Sequence, residues 1–296
     1  MSYPRSSRRP DDAVPTHRDH VPARLHDPPQ RSERASPCPL CEVIIVMDID
    51  VQNFTVINLR RRPQAIEAGG FVVGIDPTTT SAYVNYATPV PGARPAEHDI
   101  AALIGVFRER GLKPRLEFAP HAAPEVAPAL RRAGFTTEAV HTYLVCTPAT
   151  RAGTPDGRLV VETPVTDADF TAIDIALSEA YGSEFPPSPQ GVARLRRTQE
   201  GGGEVRFVRS ADRGCAGAAS CSAPAVGTAE LAGVGTRPAH RGRGVAGAVT
   251  ASLAEAMFAK GADSVWLEYG GEGSRRVYER VGFRPRGTRL YMALEG

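Results

Sequence analysis

Three arginines and two glycines crowd into eight residues at Arg237, Arg241, Gly242, Arg243 and Gly244. A short apolar run of small residues, Leu231 to Thr236, precedes them and reads as a buried strand. Pro238 has no N–H for a ladder and marks the strand's exit. From Val245 onward, Val249, Leu253, Ala256 and Met257 recur at helical spacing. Glycines at 242 and 244 let the backbone approach a ligand and turn its N–H groups toward it. The helix start adds unpaired donors and the positive end of a dipole. With guanidinium charge beside them, these groups form a site for a phosphate or pyrophosphate.

The spacing Gly242-x-Gly244-x-x-Gly247, with Glu268 about 20 residues on, also fits a dinucleotide fingerprint. That reading fails on two counts. Arg237-Pro238-Ala239-His240-Arg241 separates strand from glycine, and only 28 residues follow Glu268, too few for a doubly wound domain. The Gly-Lys-Ser/Thr of a P-loop is absent.

The stretch instead resembles the acetyl-coenzyme A site of the GNAT superfamily of N-acetyltransferases. Its pattern, Arg/Gln-x-x-Gly-x-Gly/Ala, is met by Arg241-Gly242-Arg243-Gly244-Val245-Ala246. A second family block follows in order, Ser264-Val-Trp-Leu-Glu-Tyr269, a helix, then Val277-Tyr278-Glu-Arg-Val-Gly282-Phe283. The resemblance covers roughly the last third of the chain. It implies a mixed α/β fold with a mostly antiparallel sheet flanked by helices. The implied activity is direct transfer of an acetyl group from acetyl-CoA to an amine of a small molecule or peptide, with no metal.

By that resemblance, Arg241, Gly242, Arg243, Gly244, Val245 and Ala246 cradle the pyrophosphate. The edge of Val234, Gly235 and Thr236 hydrogen-bonds the pantetheine amides as an added strand would. Tyr278 stands where the family places the proton donor for the thiolate. A phenol keeps its proton at neutral pH and can lose it transiently. The competing reading of Tyr278 is a core tyrosine packed beside Phe283. For the general base there are two carboxylates, Glu230 at the start of the cofactor strand and Glu268 on the adjacent strand, with Glu230 preferred. His240 beside Arg241 reads as a turn-shaping residue. Arg275 and Arg276 read equally as contacts to the carrier's 3′-phosphate or as a solvated helix face. The family's Asn-x-x-Ala is replaced here by Gly271-Glu-Gly-Ser274, a departure that keeps open a coenzyme A-binding sensor or pseudoenzyme, while the alternatives within the fold are a longer acyl donor or an aminoglycoside-like acceptor.

Residues 158–296 are therefore expected to be a catalytic domain, and residues 42–147 carry its echo. Helix–Gly111–Arg-Leu-Glu117-Phe118 parallels helix–Gly261–Trp-Leu-Glu268-Tyr269. Arg131-Arg-Ala-Gly134-Phe135 parallels Glu279-Arg-Val-Gly282-Phe283. The spacing predicts tandem copies of one fold. The first copy is degenerate, since it has Gly92-Ala-Arg94-Pro95 in place of the glycine-arginine turn and Leu130 in place of Tyr278. Within it, residues 52–68 read as a helix and 82–87 as a strand. Residues 148–157 read as a linker and 1–41, rich in Pro and Arg, as a disordered tail. His17, His20, His26, Cys38 and Cys41 in that tail form only half of a zinc-site pattern.

Composition narrows the classes. The 296-residue chain has a net charge of +2, too slight to imply nucleic acid or a membrane surface. No stretch is long and apolar enough to span a bilayer. Five cysteines fit a reducing compartment better than a disulfide framework, so a cytoplasmic enzyme is expected.

Overall fold

The computed structural model describes residues 39–152, 159–182 and 186–295. The tail histidines and Cys38 lie outside them. The first described element is helix α1 (Pro39–Arg60), which starts inside the stretch read as tail. It ends earlier than the sequence suggests, because Gln64–Ala68 is a strand, β1, paired antiparallel with β2 (Phe71–Ile75). The predicted strand at 82–87 shifts to β3 (Tyr86–Pro89). Helix α2 (Glu97–Arg108), strand β4 (Arg115–Phe118), helix α3 (Val126–Arg132) and strand β5 (Thr136–Cys146) complete the first half.

The second half repeats the order after a short strand β6 (Val161–Glu162) and helices α4 (Asp167–Ala180) and α5 (Pro189–Glu200). Thr166 caps α4 as the sequence predicts: its hydroxyl accepts from the Asp169 N–H, and the Asp169 carboxylate accepts from the Thr166 N–H. Strands β7 (Glu204–Arg209), β8 (Cys215–Cys221) and β9 (Thr228–Thr236) form a meander. Helix α6 (Val245–Ala259), strand β10 (Ser264–Glu268), helix α7 (Glu272–Val281) and strand β11 (Arg284–Ala293) follow.

The eleven strands of the described residues join one sheet in the order β1-β2-β3-β4-β11-β5-β10-β9-β8-β7-β6. In each half, the strand before the long helix runs parallel to the strand after it, β3 with β4 and β9 with β10. The last strand of each half then crosses over. β11 lies between β4 and β5, and β5 lies between β11 and β10, all antiparallel. Residues 42–147 and 158–296 thus share a continuous sheet, and Cys38–Gly296 form one compact unit.

Alternation along the strands sends successive side chains to opposite faces. On one face Leu116, Phe118, Leu290 and Met292 meet α2 and α3, while Leu144, Val265 and Leu267 meet α6 and α7. The other face is covered by α1 over the centre and by α4 and α5 over the β7–β8 end, with Phe54 of α1 edge-on to Trp266. Burying each such large side chain contributes about 1.5–3 kcal/mol. This second face also carries Glu117, Glu230, Glu268 and Arg289.

Candidate active site

The parallel ladder between β9 and β10 is short, holding only Thr228, Ala229 and Glu230 against Ser264, Val265 and Trp266. Past Glu230, β9 stays with β8 and leaves β10. The β8–β9 register slips between Ala218 and Ser220, beside Gly233 at φ +64°. A bulge of this kind bends its strand. The sheet therefore opens between Leu231–Thr236 and the end of β10. At Gly235 a Cβ would lie 2.7 Å from Leu177 and 2.9 Å from Ala180, so glycine lets α4 pack against the opening strand. Tyr181, just past α4, donates its hydroxyl to the Val234 carbonyl at 3.2 Å. Thr236 keeps a buried hydroxyl oxygen with no partner among the described residues.

At the mouth of the opening, a single 3-10 turn (Pro238–His240) leads to Gly242 at φ +75° and Gly244 at φ +84°. Both are left-handed conformations that favour glycine. Gly244 caps α6 without any side-chain hydrogen bond. The N–H groups of the first turn of α6 thus have no intrahelical acceptor. Arg237 and Arg241 are partly committed elsewhere: Arg237 pairs with Glu179 at 2.8 Å, and Arg241 donates to the Ala180 carbonyl at 3.0 Å. Both tie the loop to α4. Arg243 is exposed and makes no hydrogen bond or ion pair among the described residues. Bare amides, an orphaned buried hydroxyl and an uncommitted guanidinium fit a pyrophosphate-bearing carrier with an amide-containing arm.

Glu230 is the last residue of the β9–β10 ladder and is half-buried. Among the described residues, its carboxylate accepts no side-chain hydrogen bond and has no ion pair within 4 Å. Burial pushes its carboxyl up to about 7, Arg289 opposes the shift, and the carboxylates of Glu268 and Glu117 reinforce it. Glu268, the other candidate base, is fully engaged. It accepts from the Tyr291 hydroxyl at 2.5 Å, and its second oxygen lies 2.9 Å from Nε of Arg289. That Nε makes the ion pair off line for a hydrogen bond.

Arg289 is the centre the sequence reading missed. It is only 1% exposed and lies over the Trp266 ring at 5.1 Å. It donates to Thr55 of α1 at 2.8 Å and reaches Glu117 at 3.5 Å, so one guanidinium joins both halves. The only clue in the sequence was alternation, Arg289 and Tyr291 facing away from Leu290 and Met292.

Tyr278 is 6% exposed, with its ring 6.3 Å from that of Phe283. Burial, and secondarily the nearby Tyr181 phenol, push its phenol up, so it stays protonated across neutral pH. Packing beside Phe283 and proximity to Tyr181 hold together. Helix α7 starts at Gly271 with no side-chain cap, and Ser274 donates to the Gly271 carbonyl at 2.8 Å. Arg275 is spent on Glu272 and Glu279, which favours the solvated-face reading for that residue. His240 lies within the turn. No group of three or more His, Cys, Asp or Glu among the described residues is arranged to hold a metal ion.

The first half has the same opening, closed. β3 and β4 pair only at Ala87 and Leu116. Gln52 of α1 fills the gap beyond: its amide nitrogen donates to the Pro89 carbonyl at 2.6 Å and the Thr88 hydroxyl at 2.7 Å, and its oxygen accepts from the Ala119 N–H at 2.8 Å. The Gly92 N–H is taken by the Ala122 carbonyl at 2.7 Å. With Leu116 equivalent to Leu267, Tyr86 stands where the second half has Glu230.

Residues 171–283 match the acetyltransferase (GNAT) family. A GCN5-related N-acetyltransferase from Kribbella flavida has a similar structure, with TM-score 0.69 and 23% identity over 84% of this chain and 96% of its own. One from Sphaerobacter thermophilus gives TM-score 0.56 and 16% identity over 87% and 93%. A tandem GNAT protein from the clavulanic acid biosynthesis pathway gives 0.51 and 13% over 84% and 95%. These likenesses are of fold. No curated protein gives a significant match. Among the described residues, no helix is long and apolar enough to cross a membrane.

Proposed function

We propose that this acyltransferase-family protein moves the acetyl group of acetyl-CoA to a primary amine, using the β9–β10 opening alone. The reading rests on one observation above others. An unpaired carboxylate, Glu230, sits at the inner end of the opening with its ionisation poised near neutrality. A base whose pKa lies near the working pH combines availability with proton affinity.

In this reading Val234, Gly235 and Thr236 bind the pantetheine arm. The amides of Gly242, Gly244, Val245 and Ala246, with Arg243, hold the pyrophosphate, and Arg241 shapes the loop. Glu230 takes a proton from the incoming ammonium. The freed nitrogen lone pair forms a bond to the thioester carbon while the carbon–sulfur bond breaks, Tyr278 supplies a proton to the departing sulfur, and the second proton that the nitrogen sheds on becoming an amide restores the phenol through solvent. Direct transfer needs no metal and no cysteine nucleophile, and we place the protein in the cytoplasm.

The test is thiol release from acetyl-CoA with a panel of amines across pH 5.5–9. Turnover rising with an apparent pKa near 7 is expected. Tight acetyl-CoA binding without turnover on a broad panel would replace the reading with a coenzyme A sensor, and faster release with longer acyl donors would revise the donor.

A further inference from the structure

Trp266, the chain's single tryptophan, carries a buried donor with nothing to donate to. The residue is 1% exposed, and its indole Nε1 has no partner among the described residues. An unmet buried N–H is costly. The ring is held from three directions. Phe54 of α1 and Tyr143 of β5 meet it edge-on at 5.9 Å and 6.1 Å, and the Arg289 guanidinium lies 5.1 Å over it. β10 lies between β5 and β9, and the β9 residue in register with Trp266 is Glu230. Residues in register on neighbouring strands, about 4.8 Å apart, send their side chains to the same face.

These two neighbours are complementary. Glu230 has acceptor oxygens and no side-chain donor, while Trp266 has a donor and no acceptor. They also differ in freedom. The indole is wedged by three side chains, whereas Glu230 is half-buried at the inner end of the opening and free to turn about its own bonds. A fixed donor beside a mobile carboxylate stabilises the charged form. Burial, with Glu268 of β10 and Glu117 of β4, acts in the other direction, and the guanidiniums of Arg289 and Arg62 oppose it. Tyr86 of β3 and Cys221 of β8 also face this carboxylate, and burial pushes both up, so they stay neutral. Beside the indole, Asp48 of α1 is raised by burial and bonded by Tyr143 and His121.

We infer that Trp266 is a positioning residue: its indole N–H takes one oxygen of the Glu230 carboxylate and leaves the other for the proton of the incoming ammonium. The use of this bond rests on the acetyltransferase reading above, but the bond itself is observable without turnover.

One tryptophan gives one indole N–H resonance, so the decisive experiment follows it by NMR in the full chain from pH 5.5 to 9. It should move downfield with a midpoint near 7, because a hydrogen bond to an anion deshields the proton. In Glu230→Gln it should hold still. A resonance that does not move in the native protein overturns the inference. So does one that moves equally in Glu230→Gln, which would assign the movement to Asp48. Trp266→Phe keeps a ring against Phe54 and Arg289 and removes the N–H. Its pH–rate profile should shift up by about one unit, lowering turnover at pH 6 about tenfold and the plateau above pH 8.5 by less than about threefold. An unshifted profile overturns the positioning role. The expected titration with no thiol release from any amine keeps the Trp266–Glu230 bond and removes only the catalytic reading.

Discussion

The two openings in this sheet are built from equivalent strands and end in opposite states. In the second, β9 departs from β10 and leaves its edge and the amides of Gly242 and Gly244 unmet. In the first, Gln52 reaches in from α1 and satisfies Thr88, Pro89 and Ala119. A buried edge of unpaired N–H and C=O groups is costly unless something meets it. In the first half the protein meets it with its own side-chain amide. The equivalent strand position also differs, Glu230 in one half and Tyr86 in the other. Arg115 and Glu117 of the first half line a cleft together with residues of β10, and Glu117 helps to set the ionisation of Glu230.

The contrast can be broken most sharply at its base. Glu230→Gln should lower turnover about 10³-fold, whereas Tyr86→Phe in the first half should leave turnover within about twofold. The same Glu230 change should stabilise the fold at high pH. Its folded carboxyl titrates near 7 against an ordinary 4.5, so as pH rises the unfolded chain ionises first and native stability is lost across that window. Glu230→Gln removes the loss, by roughly 3 kcal/mol at most above pH 7. The gain should vanish below pH 4.5, as read by denaturant melts at several pH values.

A smaller loss is expected at the proton donor. Tyr278→Phe should cut kcat about 10²-fold with KM for the amine little changed. An unaltered rate across pH would leave Tyr278 as a packing partner of Phe283.

The cradles can be compared glycine for glycine. Gly244→Ala forces a side chain into a left-handed conformation, a strain of about 1–2 kcal/mol. It should weaken acetyl-CoA about tenfold by calorimetry. Gly92→Ala is equally left-handed at φ +73°, and a Cβ there meets nothing within 4 Å. It should cost some stability and no cofactor affinity.

The plug itself gives the subtlest effect. Gln52→Ala leaves the Ala119 N–H and Pro89 carbonyl without partners and should destabilise the fold by about 1–3 kcal/mol. Binding should remain at one acetyl-CoA per chain, because the first half also lacks the glycine-arginine turn. A stoichiometry of two would show that Gln52 alone closes the slot.

Local signals in this chain were legible without coordinates. The left-handed glycines, the helix after them and the Thr166 cap follow from nearest-neighbour sterics and from spacing within one element. The structure adds that Glu268 is held by Tyr291 and Arg289, whereas Glu230 has no side-chain partner among the described residues. The strand at Gln64–Ala68 was misread because five polar and apolar residues next to a long helix carry too little periodicity to mark a boundary.

What tertiary structure alone decided is long-range. The crossing of β5 and β11 between halves, the plug that Gln52 forms 67 residues from Ala119, and the burial of Arg289 against Thr55, 234 residues away, depend on which strand edges pair. Strand pairing is set by register and by whole buried faces, and those energies are collective. A sequence read residue by residue shows what each segment can form, and the packed sheet selects which segments meet.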